Sequence, residues 1–110
     1  MMEEYLIRVD SYDFDERINS PAALVYFYNH MEPACRGFDE IMEELAQQYE
    51  DMIPVLAVDT EQSPDIAERY GIESVPYVIM FVNGVPAADI EGANLPDVYA
   101  DMIEANLPGE

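Results

Sequence analysis

Apolar residues in this chain fall into short continuous runs, separated by stretches in which they recur every three or four positions. Tyr5-Leu6-Ile7-Arg8-Val9 is the first run and predicts a short strand. Ala22 to Tyr28 and Val55 to Asp59 are almost uninterrupted and rich in Val and aromatics, as strands buried on both faces should be. Tyr77 to Val82 is a further apolar run, opening just after Pro76. The longest helical pattern covers Ala34 to Tyr49. Phe38, Ile41, Met42, Leu45, Ala46 and Tyr49 make one apolar stripe there, and Asp39, Glu40, Glu43, Glu44 and Gln47 take the opposite face. Pro33 sits just ahead, where a missing N–H costs nothing.

Turn and capping residues punctuate these runs. Ser11 is a candidate cap for a brief helical segment through Phe14 and Ile18, and Asn19-Ser20-Pro21 is a break. Ser63-Pro64-Asp65 combines a capping hydroxyl, Pro at the first helical position and an acid in the first turn; Gly71 suits the C′ position of that helix. Asn83-Gly84 is a strong hairpin signal, with Ala87 to Ile90 as the return strand. Asn94 is placed to cap a last helix carrying Val98, Tyr99, Met102, Ile103 and Leu107. The order is β-α-β-α-β-α-β-β-α. It predicts an α/β fold in three layers: a mainly parallel sheet with crossover helices, and an antiparallel edge at the Asn-Gly hairpin. There is no repeat, linker or low-complexity segment, so residues 1–110 read as a single domain.

Composition narrows the class. Half of the 110 residues are hydrophobic, and eight tyrosines with four phenylalanines can anchor a core without metal or disulfide staples. Met1-Met2-Glu3-Glu4 is acidic and no apolar signal region follows; no run reaches membrane-spanning length, and there is one cysteine. A reducing, cytoplasmic location is the expectation. The balance of 24 acidic residues against four arginines and no lysine gives a net charge of −20. Such a surface repels phosphate backbones and anionic lipid, so neither nucleic acid nor a membrane is an expected partner. Two readings of the acidity stand side by side: a solvated surface suited to solubility or high salt, and steering toward a basic protein partner.

The candidate chemistry lies in His30-Met31-Glu32-Pro33-Ala34-Cys35-Arg36, between a buried strand and the long helix. Thiol redox enzymes often place Cys-x-x-Cys at such a turn. Here Glu32 holds the first position and Cys35 the second, with no other cysteine in the chain. Disulfide exchange needs an attacking thiolate and then a second thiol to release the mixed disulfide, so Cys35 alone supports at most the first step. The helix N-terminus and Arg36 favour its thiolate, whereas burial and the Glu32 carboxylate oppose it. His30, Met31, Glu32 and Cys35 also cluster in sequence, but they lack the paired Cys or His spacing of zinc sites. No metal and no cofactor are expected.

These pieces together resemble the thioredoxin family from about Tyr5 to Leu107. The marks are Leu24-Val25-Tyr26-Phe27-Tyr28 leading into the turn, Cys35-Arg36 opening the long helix, and Pro64 and Ala67 ahead of Tyr70-Gly71-Ile72. Val75-Pro76 follows at a cis-proline-like site, then Phe81-Val82-Asn83-Gly84-Val85 and Gly92. The resemblance implies a central mixed sheet of about five strands flanked by about four helices. It also implies that Glu32 takes the place of the nucleophilic cysteine, Pro33 and Ala34 the residues between the cysteines, and Cys35 the inner, resolving thiol. Met31 and Tyr28 fall where the family has tryptophans, Tyr26 where it has a buried Asp, and Ala57 where it has a Lys. A substrate groove is implied at Met31, Ile72, Val75 and Pro76, with Pro33 contributing to an apolar patch. The expectation is a monomeric protein with a degenerate site and no ordinary disulfide reductase activity, binding a protein or extended peptide at that groove. The rival is a monothiol oxidoreductase in which Cys35 is the catalytic residue and works with an external thiol such as glutathione.

Overall fold

The computed structural model describes residues 5–108. The first strand is β1 (Ile7–Val9), followed by α1 (Phe14–Arg17), β2 (Ala22–Tyr28) and the long helix α2 (Pro33–Gln48). Next come β3 (Val55–Asp59), α3 (Pro64–Arg69), β4 (Tyr77–Val82), β5 (Val85–Glu91) and α4 (Pro96–Asn106). The five strands form one mixed sheet in the order β1-β3-β2-β4-β5. β1 and β2 pair parallel with β3. β4 pairs antiparallel with β2 and again with β5, so the antiparallel part extends one strand further than the hairpin alone implies.

Alternation along the buried strands sorts the core into two layers. Leu24, Tyr26 and Tyr28 of β2 point with Val55, Ala57, Val78 and Met80 toward α2 and α4. Ala23, Val25 and Phe27 point the other way, joining Leu56, Val58, Ile79 and Phe81 over Phe14 of α1 and Ile66 of α3. Every residue of β2 is buried, as its unbroken apolar run requires. On the second face Phe81 meets Phe14 and Tyr70 edge-on, with ring centroids 6.1 and 5.3 Å apart.

Several helix and strand ends differ from the sequence reading, each for a local reason. The first strand begins at Ile7 because the backbone N–H groups of Tyr5 and Leu6 donate to the Glu43 carboxylate on α2, at 2.9 and 3.3 Å. Ser11 does not cap α1. Its hydroxyl donates to Asp65 Oδ1 at 2.5 Å, while the Asp10 carboxylate accepts the Tyr12 and Asp13 N–H groups and shapes the entry to the helix. Ser63 holds the N-cap position of α3 but is buried and makes no side-chain cap hydrogen bond. Leu95, rather than Asn94, precedes α4; the Asn94 amide donates to Gly92 O at 3.2 Å, beside the Tyr99 hydroxyl, which donates to the same carbonyl at 2.9 Å. The hairpin turn has φ of 53° at Asn83 and 79° at Gly84, both left-handed, as a two-residue turn of this type demands. β5 is longer than its sequence signal, with an irregularity opposite Met80/Phe81 that accommodates Pro86 on this edge strand.

Tyrosine hydroxyls tie several elements together. Tyr49 at the end of α2 donates to Glu104 of α4 at 2.9 Å, and Tyr77 of β4 donates to Asp89 of β5 at 2.7 Å. Burial and the Glu104 bond push Tyr49 up to about 12; the Asp89 bond and burial do the same to Tyr77. In the unfolded chain these groups ionise near 10.0, while in the native fold they stay neutral. Their contribution is therefore whole below pH 10 and is lost as pH rises toward 12. Denaturation midpoints should fall through that window, less steeply in Tyr49→Phe and Tyr77→Phe; a midpoint flat across it would contradict this assignment.

Candidate functional site

The turn between β2 and α2 is organised by Asn29. Its side-chain oxygen accepts the Met31 N–H at 2.8 Å, and its carbonyl accepts the Glu32 N–H at 3.0 Å. Glu32 then stands at the N-cap of α2 with extended backbone, its carboxylate accepting the Ala34 N–H at 3.4 Å and its carbonyl accepting the Cys35 N–H at 3.0 Å. Pro33 occupies the first helical position, where no N–H is needed. Pro33 and Ala34 are exposed, whereas Cys35 is fully buried, facing the sheet with Tyr26, Tyr28 and Phe38.

Beneath Cys35 the sheet carries a phenol. Tyr26 lies directly across the ladder from Ala57, so a large side chain faces the smallest neighbour that still has a Cβ. The Tyr26 hydroxyl donates to Asp39 Oδ1 on α2 at 2.7 Å and lies 3.4 Å from the Cys35 carbonyl oxygen. Burial, with the Asp39 bond added, raises the Tyr26 pKa far above the ordinary phenol range, so it remains a neutral donor. Burial likewise pushes the Cys35 thiol up, and the Asp39 and Glu32 charges reinforce it. A backbone hydrogen bond at Asn29 and the Tyr26 hydroxyl act the other way. The thiol is therefore protonated at neutral pH. Asp39 is legible in the sequence only as a polar-face residue; the Tyr26 contact comes from the docking of α2 on β2.

The ligand-like cluster seen in sequence does not assemble. His30 is exposed and its ring lies 5.0 Å from Tyr28, while Cys35 is sealed beneath the helix. Among the described residues no three His, Cys, Asp or Glu side chains come together as metal ligands. Tyr28 instead accepts from the Arg8 guanidinium at 2.5 Å, and the same group lies 5.2 Å from the ring centre. Burial raises the Tyr28 pKa despite that cation.

A cleft of about 360 Å³ opens beside the turn. Asn29, Met31 and Glu32 form one side, Thr60 sits at the end of β3, and Ile72, Glu73, Ser74 and Val75 form the other side. Met31 is 74% exposed; Ile72 and Val75 are half-buried. The Val75–Pro76 peptide is cis. Pro76 itself is buried and does not line the cleft, its carbonyl accepting the Gly92 N–H at 2.8 Å, so it does not contribute to an exposed apolar patch; nor does Pro33 line the cleft. The Val75 backbone N–H and C=O have no hydrogen-bond partner among the described residues. Two further depressions, of about 250 and 470 Å³, lie against Pro54 at the start of β3, at the end of the sheet away from Cys35. The cleft, at the carboxyl ends of β2 and β3, is where α/β sheets generally place their ligands.

Comparison with known proteins agrees with this architecture. The family model for thioredoxin matches residues 5–105, and the chain belongs to the thioredoxin family. It is 28% identical over 102 residues to thioredoxins of Staphylococcus aureus strains N315 and COL, covering 93% of this chain and 98% of each relative. Among solved structures it is similar to a single-site mutant of a thioredoxin from Halobacterium salinarum NRC-1. The TM-score is 0.87 at 21% identity, covering 100% of this chain and 97% of the other, a likeness of fold.

A buried, protonated Cys35 predicts slow chemistry. A thiol-specific reagent should modify the native protein at neutral pH only as fast as the fold opens, and denaturant should accelerate the reaction by orders of magnitude. Modification as fast as that of a free thiol in the native state would contradict the burial.

Proposed function

We propose that this thioredoxin-family protein binds an extended protein segment non-covalently in the cleft beside Glu32 and does not act as an ordinary dithiol reductase. The observation that carries the reading is the separation of cleft from thiol. The cleft is open, while the only cysteine in the chain is 0% exposed beneath the first turn of α2. A two-thiol cycle lacks its attacking group, which position 32 replaces with a carboxylate. The unpartnered Val75 backbone supports the binding half of the reading, because an extended segment can add to it as a strand adds to a sheet edge.

Glu32 gives that surface a fixed charge. Its carboxylate lies at the positive end of a 16-residue helix, an arrangement worth about 0.3–1 kcal/mol, where an outer thiolate would otherwise sit. In this reading Glu32 stands in permanently for the reduced, charged form of a redox site. A monothiol cycle with glutathione needs an exposed thiolate, and the burial and raised pKa of Cys35 weigh against it. The low reactivity suits a reducing cytoplasm, where a monomeric adaptor or chaperone-like factor would work.

Glu32→Cys rebuilds Cys-Pro-Ala-Cys. The variant should form the internal disulfide under oxidant, each thiol losing one proton and one electron. It should nevertheless reduce protein disulfides at least about 10-fold more slowly than an ordinary thioredoxin, because Tyr26 and Ala57 offer no carboxylate–lysine pair to move the proton. Full thioredoxin-like turnover by this variant would show that the missing nucleophile is the only defect.

A further inference from the structure

The cleft has a definite electrostatic character. Its apolar contacts come from Met31, Ile72 and Val75, and its ionisable lining is solely acidic: Glu32 from the turn and Glu73 from the opposite segment. The nearest polar hydroxyl on that segment, Ser74, is already committed to Glu91 at 2.6 Å, which adds another carboxylate beside it. Among the described residues no arginine or histidine lines the cleft. Arg69 is paired with Asp15 at 2.6 Å, Arg17 with Asp13 at 3.8 Å, and Arg8 lies on Tyr28; Arg36, on the first turn of α2, is not part of the lining. With a net charge of −20 around it, the cleft carries a negative potential that no lining cation offsets.

From this we infer that the segment bound in the cleft is cationic: an extended stretch carrying one apolar side chain with Lys or Arg on either side. The inference rests on the reading of the cleft as a peptide site and adds the chemistry of its occupant. The apolar side chain packs on Met31, Ile72 and Val75, with the flexible thioether of Met31 adapting to its shape. The segment's backbone pairs with the N–H and C=O of Val75, and its cations meet Glu32 and Glu73. An acidic segment would meet uncompensated like charge in the same place.

Three capped peptides test this on isotope-labelled protein: Gly-Lys-Leu-Lys-Gly, Gly-Ser-Leu-Ser-Gly and Gly-Glu-Leu-Glu-Gly. Amide chemical shifts locate binding. The lysine peptide should move Met31, Ile72 and Val75 and bind at least about 10-fold more tightly than the glutamate peptide. The double variant Glu32→Gln/Glu73→Gln should weaken it about 3- to 10-fold. The control Glu50→Gln/Asp51→Asn removes the same formal charge far from the cleft and should change affinity by less than about 2-fold. Equal binding of the serine and lysine peptides at the cleft would overturn the cationic preference and leave the peptide site standing. An equal loss in the control would overturn it in favour of net charge alone. No shift at Met31, Ile72 or Val75 with any of the peptides would overturn the peptide site together with this inference.

Discussion

The hydrogen bond from Tyr26 to Asp39 fixes the relation between the central strand and the long helix. Tyr26 lies in the middle of β2, with β3 on one side and β4 on the other. Its hydroxyl crosses to Asp39 on the second turn of α2 at 2.7 Å. A bond from a neutral donor to a carboxylate in this half-buried setting is worth about 1.5–3 kcal/mol, and it gives the buried phenol a charged acceptor besides the Cys35 carbonyl. Tyr26 also packs against Tyr28 and Phe38, with centroids 5.4 and 5.5 Å away. The start of α2, and with it Glu32, Cys35 and the Asn29 turn, is held by this contact.

The same strand carries a second departure from the pattern that the resemblance implies. Tyr26 and Ala57 face each other across the β2–β3 ladder, filling with a neutral pair the place where the resemblance implies an ionisable one. A neutral pair is cheaper to bury than two charges. Burial pushes the Cys35 thiol up, and the nearby Asp39 and Glu32 charges reinforce it. Around these residues stand a strand leading into a turn, a capped helix, and an opposing segment whose Val75 backbone has no hydrogen-bond partner among the described residues. Such sites are grafted onto folds and need not share the chemistry of their relatives.

Much of this is legible in the sequence because its signals are local. The unbroken run Ala22–Tyr28, the stripe from Phe38 to Tyr49 and the Asn83-Gly84 turn each specify their element through periodicity or backbone preference. The element order and three-layer arrangement follow from them. The antiparallel placement of β4 beside β2 is less visible, because a helix between two strands suggests a parallel crossover and the reversal lies in the loop around Val75. Caps are the least legible features. Ser11, Ser63 and Asn94 all have capping side chains, yet Ser11 and Asn94 form other contacts and Ser63 is buried. Competing hydrogen bonds in the fold decide those positions.

At the site, the sequence locates Glu32 and Cys35 and sets Met31, Ile72 and Val75 apart from the rest of the chain. It does not indicate that Asp39 faces Tyr26, that Asn29 orders the turn, or that Pro76 is buried, because these depend on tertiary packing. The central proposal, that this chain does not act as a dithiol reductase, is tested most directly by insulin reduction with the unmodified protein and a dithiol reductant. The account predicts a rate equal to the reductant alone, unchanged by Cys35→Ser. A rate well above that background, lost in Cys35→Ser, would contradict it.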